Sequence, residues 1–237
     1  MRKSTVKEIK ERFDNDVERF SRLEIGQTST VDAVLSMELL TQAASLASPN
    51  ATHILDVGCG AGNYTLKLLE KLPHLNVTLI DLSKPMLDRA SERISAVSSG
   101  TIKLIQGDIR EIKLKENSYD IILAAAVLHH LRDDSEWESV FRKMYNVLRP
   151  SGGFWVFDLV EDQIPEIQNL MWRRYGDYLV DFKDEDLRDL TYGYIIQEDT
   201  PRSLLYQIDV MRKVGFKDVT ILHKNLCYAA FGAIKQK

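Results

Sequence analysis

The chain has 237 residues, 44% of them apolar and 28% charged, with a formal net charge of −4. That profile fits a soluble globular domain able to bury a core without staples. It offers no basic field for nucleic acid, and no run approaches the roughly 20 apolar residues of a membrane span.

Two cysteines, Cys59 and Cys227, make no disulfide framework and no CxxC metal pattern. Reduced thiols and a cytoplasmic location are therefore expected, with no metal ligands. The opening "MRKSTVKEIKERFDNDVERF" mixes both charge signs and is not a secretory signal.

Residues 5–22 place Val6, Ile9, Phe13, Val17 and Phe20 at helical spacing. Residues 31–47 repeat the pattern, and "GQTST" (26–30) is a polar connector. After residue 50 the pattern changes. "HILDVG" (53–58), "NVTLIDL" (76–82), "TIKLIQGD" (101–108), "YDIILAAAVL" (119–128) and "GFWVFDLV" (153–160) read as apolar strands. Helical patterns follow at 64–72, at 83–97 with Ser83 as N-cap, and at 134–148, closed by "RPSGG". The alternation predicts an α/β domain around a mostly parallel sheet covered on both faces.

Residues 161–190 carry nine Asp or Glu against four Lys or Arg, together with Trp172, Tyr175, Tyr178 and Phe182. They read as helices packed over the edge of the sheet. A helix at 201–216 and two strands at 218–224 and 227–235, joined by "NL", close the chain as an antiparallel hairpin. The division expected is one domain, 1–237: lid helices (1–48), a ligand-binding half (49–160), a helical insert (161–200), and a final helix with hairpin (201–237).

"DVGCGAGN" (56–63) lies where a strand turns into a helix. Gly58, Gly60 and Gly62 let the backbone turn sharply and approach a ligand closely. The dinucleotide pattern G-x-G-x-x-G needs glycine at position 63, where this chain has Asn63, and the Walker phosphate loop is absent. Asp56, two residues before Gly58, would repel a pyrophosphate and suits a cationic group. Asp81 ends the second strand, where a carboxylate can accept both ribose hydroxyls. Asp108 ends the third, where it can accept an exocyclic amine beside Ile109 and a flat base. Each acid alone reads equally as a helix cap. Together they describe a site for an amino group, a ribose and an adenine without phosphate.

"ILDVGCGAGNYT", "LIDLS", "GDI", "YDIILAAAVLHHL" and "LRPSGGFWVF", in that order, resemble the class I S-adenosylmethionine-dependent methyltransferases. The resemblance spans about residues 50–160 strongly and the closing hairpin less strongly. It implies a Rossmann-like, doubly wound α/β sheet of seven strands in the order 3-2-1-4-5-7-6, strand 7 antiparallel. It implies S-adenosyl-L-methionine as cofactor and S-adenosyl-L-homocysteine as product. Asp56, Gly58, Gly60, Asp81 and Asp108 are the positions it carries over. Leu82, Met86 and Ile109 would line base and ribose, and Ala125 would sit near the methionine part.

The reaction implied is in-line methyl transfer to a small-molecule acceptor, driven largely by positioning. A base is needed only if the acceptor must lose a proton. His129, His130 and Asp158 are the candidates, against the plainer reading of "LHHL" as a packed loop with a ring bonded to backbone. Phe13, Trp172 and Tyr175 are candidates for the acceptor pocket, although the insert aromatics read equally as one buried helix face. The layout is also similar to the carboxy-S-adenosylmethionine synthases of wobble-uridine modification, through "FD" (Phe13, Asp14), "GDIR", the insert and "KVGF". That likeness implies a homodimer. Two departures, the intact glycine loop and the acidic stretch "DYLVDFKDEDLRDL", point to ordinary S-adenosylmethionine. The alternatives are a tRNA-modification enzyme, a non-catalytic S-adenosylmethionine-binding protein and, disfavoured by Asn63, a nicotinamide dehydrogenase.

Overall fold

Strands apolar on both sides need cover on both faces, and the helices supply it in two layers. The computed structural model describes residues 2–22 and 29–237; positions 26–28 of the polar connector lie outside them. Five strands run parallel: β1 (His53–Val57), β2 (Asn76–Asp81), β3 (Ile102–Gln106), β4 (Tyr119–Ala125) and β5 (Leu148–Leu159). β6 (Asp218–Asn225) and β7 (Tyr228–Ile234) close the sheet antiparallel. The observed order is β3-β2-β1-β4-β5-β7-β6, as expected from the sequence.

On one face lie α3 (Ala33–Ala47), α4 (Asn63–Leu69), α5 (Lys84–Ser95) and α7 (Pro165–Phe182), which bury Leu40, Leu68, Ala90 and Tyr175 in one cluster with Leu79 and Phe157. On the other lie α6 (Asp134–Val147) and α9 (Leu204–Val214), whose Phe141 and Met211 pack with Ile122, Phe154 and Phe231. α3 was grouped with the lid, but it belongs to the core. Its Leu40 and Ala44 are fully buried against the sheet. The insert likewise covers the sheet face rather than its edge, because Tyr175 meets Tyr228 of β7 edge-on, with ring centroids 5.7 Å apart.

The single helix expected over 5–22 is two: α1 (Val6–Asn15) and α2 (Val17–Ser21), broken at Asp16. Thr5 and Glu8 form a reciprocal capping box that fixes the start of α1. Ser83 caps α5 as expected, accepting the Met86 N–H. "RPSGG" does not close α6; it forms the start of β5, which reaches from Leu148. The insert resolves into α7 and α8 (Glu185–Glu198). Among the described residues no helix is long and apolar enough to cross a membrane.

Candidate active site

The carboxyl ends of β1, β2 and β3 meet at one rim, and the glycine loop ties the first two together. Gly58 adopts φ +65°, and a Cβ there would stand 2.5 Å from Val127 Cγ2. The Gly60 N–H donates to Asp81 Oδ2 at 2.9 Å, and the Ser83 N–H to Oδ1 at 2.8 Å. The Asp81 carboxylate is thereby fixed in orientation, and each oxygen keeps a second lone pair. Burial raises its pKa, opposed by these two N–H groups; the nearby Asp14 raises it further.

Gly58, Asp81, Leu82, Asp108, Ile109 and His130 line a common cavity, which Val6 and Ile9 of α1 close from above. The residues expected to meet an amino acid, a ribose and a base are in part gathered there. Asp108 has a partner that sequence reasoning missed. Arg110 reaches back to both carboxylate oxygens at 3.0 Å through Nε, and its Nη1 bridges to Glu136 at 2.9 Å. Burial pulls the Asp108 carboxyl up, but Arg110 outweighs it and holds the group below the ordinary value. The spacing i, i+2 in "GDIR" was the available signal.

Other expected positions sit elsewhere. Asp56 is buried beneath the loop and accepts the Thr65 hydroxyl at 2.6 Å. Burial pushes its carboxyl up to about 7, against that hydrogen bond, and the charge of Asp81 adds to the rise. Met86 is buried in the first turn of α5 and is not among the residues that line the cavity. Ala125 ends β4, half-buried, just before the turn at Ala126 with φ 52°.

The turn after β4 (Leu128–His130) carries the histidine pair. Asp158 neither reaches toward an acceptor nor caps α7. It is fully buried, accepts the His129 N–H at 3.0 Å, and pairs with His129 Nδ1. The His129 ring is thus held by a carboxylate rather than by backbone. Burial opposes its charge, but Asp158 and Asp199 outweigh burial and push His129 up to about 9. The two carboxylates therefore hold the ring's proton more tightly than a free imidazole would. Asp199, just past α8, is a second residue the sequence reading missed. It stands 3.2 Å from His130 Nδ1, and the Thr200 N–H fastens its loop to the His129 carbonyl at 2.7 Å.

α1 spans both sides of this site. Arg12 donates through Nε to Glu198 at 2.8 Å, and the Arg132 guanidinium reaches the Ser4 carbonyl at 2.8 Å. Phe13 meets His130 edge-on, with ring centroids 6.1 Å apart, so it lies at the junction of turn and lid. Tyr175 is not a pocket residue. It is fully buried, and its hydroxyl donates to the Ser29 carbonyl. Trp172 lines a groove on the outer side of the insert with Tyr192 and Arg188. The helix-face reading of these aromatics holds for Tyr175.

Comparison with known proteins agrees with the fold and the loop. Residues 54–152 match the family described as methyltransferase domain. Demethylmenaquinone methyltransferase from Listeria monocytogenes serotype 4a (strain HCC23) is 30% identical over 115 residues, covering 48% of this chain and 47% of that protein. The chain spans about half the length of the curated relatives it matches. The 1,6-didemethyltoxoflavin-N1-methyltransferase of Burkholderia thailandensis, solved with its acceptor and S-adenosylhomocysteine, aligns with a TM-score of 0.64 at 16% identity. That alignment covers 97% of this chain and 88% of the other. The cyclase SpnF aligns with a TM-score of 0.66 at 14% identity, covering 100% and 98%. A shared fold at such identities does not select the chemistry. The sequence match, the sheet order and the acid-and-glycine rim agree: residues 54–152 are similar to the methyltransferase domain family, and the whole chain has the fold of its structural neighbours.

Proposed function

We propose that this protein transfers a methyl group from S-adenosyl-L-methionine to a small-molecule acceptor by in-line displacement, releasing S-adenosyl-L-homocysteine. The observation that carries the reading is Asp81. Its carboxylate is oriented by the Gly60 and Ser83 N–H groups and shares a cavity with Gly58 and Asp108. Asp81 receives the ribose hydroxyls, and Asp108, steadied by Arg110, receives the adenine amine beside Ile109. Gly60 leaves free the space a side chain would take, since a Cβ there would meet nothing within 4 Å. When bound, the donor supplies an electrophilic methyl group.

The chain's own part is then positioning and exclusion of water. Val6 and Ile9 cover the cavity, and α1 and α2 act as a lid anchored through Arg12 and Glu198. The acceptor enters between Phe13, the histidine turn and the end of α8. No proton transfer is assigned to His129, whose Nδ1 is committed to Asp158. The net charge of −4 supports a small acceptor over nucleic acid. A homodimer in the cytoplasm completes the proposal.

Calorimetry tests it. S-adenosylmethionine or S-adenosylhomocysteine should bind, and Asp81→Ala should weaken binding by about 1.5–3 kcal/mol, the worth of hydrogen bonds to a charged group. Tight binding of NAD with none of S-adenosylmethionine would overturn the assignment.

A further inference from the structure

We propose that His129, His130 and Asp199 form a binding site for a divalent transition-metal ion. Each offers one donor atom, and the three lie within 4.8 Å of one another; His129 binds through Nε2 as the neutral ring, so ion binding releases its proton to solvent. Asp199 Oδ1 stands 3.7 Å from His129 Nε2 and 3.2 Å from His130 Nδ1. Donors bound tetrahedrally at about 2.0–2.1 Å from one ion lie roughly 3.3–3.4 Å apart. These two separations bracket that spacing, and the two histidine nitrogens lie within 4.8 Å of each other.

Three further features support the site. His130 Nδ1 is buried, and its contact with Asp199 Oδ1 at 3.2 Å lacks full hydrogen-bond geometry. A poorly aligned contact satisfies an enclosed polar atom only in part, and coordination would complete it. His129 Nδ1 is held by the fully buried Asp158. A carboxylate on the far nitrogen of a ligating histidine fixes the ring and strengthens it as a donor. The ligands also sit on anchored backbone, since the Thr200 N–H is bonded to the His129 carbonyl and the Asp199 N–H closes the end of α8 on Ile195.

Two imidazoles and one carboxylate suit zinc, iron(II), cobalt(II) or manganese(II) more than calcium. Three protein ligands leave at least one open position. His130 also lines the cavity of Gly58 and Asp81. The open position therefore serves an acceptor bearing an oxygen donor, a hydroxyl or enol, oriented by the ion. That last role rests on the methyltransferase reading; ion binding itself does not.

The test uses the full-length protein, stripped with chelator and titrated with zinc chloride and with cobalt chloride. One equivalent should bind with a Kd of about 10 µM or tighter. X-ray absorption on the zinc-loaded wild type should count two imidazoles. Asp158→Asn should weaken zinc 10–100-fold, as loss of such an orienting carboxylate does. His130→Ala and Asp199→Ala should weaken it more, while His53→Ala leaves it unchanged. Far-UV circular dichroism and thermal unfolding of each variant report folding. No zinc or cobalt binding by the wild type, unchanged affinity in both His130→Ala and Asp199→Ala, or thiolate ligands in the absorption spectrum would each overturn the site. Ion binding without S-adenosylhomocysteine binding would sink the methyltransferase reading and leave the metal site standing.

Discussion

Asp56 is a carboxylate whose environment penalises its charge, so its removal has a stability signature that depends on pH. Its carboxyl stands at about 7 in the folded protein against an ordinary value of 3.8. Below about pH 3.8 the group is protonated in both folded and unfolded chains and contributes nothing. Between there and pH 7 the unfolded chain ionises it while the folded protein does not, so stability falls as pH rises. Above pH 7 both are ionised and the whole penalty is present. About three pKa units at ~1.36 kcal/mol each give an upper bound near 4 kcal/mol. Asp56→Asn removes the charge and keeps a carbonyl oxygen for the Thr65 hydroxyl, now at 2.6 Å. Urea denaturation of both proteins from pH 4 to pH 8, without ligand, isolates the effect as a difference of differences. The variant should gain on the wild type by about 2–4 kcal/mol over that range. A difference that stays flat, or one that shrinks with pH, would refute burial as the controlling influence on Asp56.

The two loop glycines should behave differently. Gly58→Ala forces a Cβ to 2.5 Å from Val127 at φ +65°, and thermal unfolding should show a loss of about 2–4 kcal/mol. Gly60→Ala has φ +50° but open space, so it should cost only about 1–2 kcal/mol while binding of S-adenosylmethionine, read by calorimetry, falls. Arg12→Ala strands the Glu198 carboxylate, 4% exposed. It should cost ~3 kcal/mol and speed hydrogen exchange in α1, with part of the loss recovered in the Arg12→Ala, Glu198→Ala pair. Tyr175→Phe should lose about 1 kcal/mol in denaturation with methyl transfer unchanged, since the hydroxyl bonds only within the core.

The sheet and the glycine rim were legible because they are local. β-branched runs ending in acids at 81 and 108, and a strand-to-helix turn with Gly58 and Gly60, announce themselves within a few residues. The sheet order came with the family resemblance, which those same short motifs carry. What escaped the sequence was convergence. Nothing near Asp158 in the chain says that its partner is His129, and nothing near Asp199 says that it meets His130. Likewise Leu40 and Tyr175 have helical spacing that fits a lid or pocket as well as a core, until the sheet face is in place to bury them. Local propensity and motif therefore determined the donor rim, because its residues are close in sequence. The acceptor side was decided by tertiary packing, because its charged and aromatic groups come from segments that only the closed fold brings within hydrogen-bonding distance.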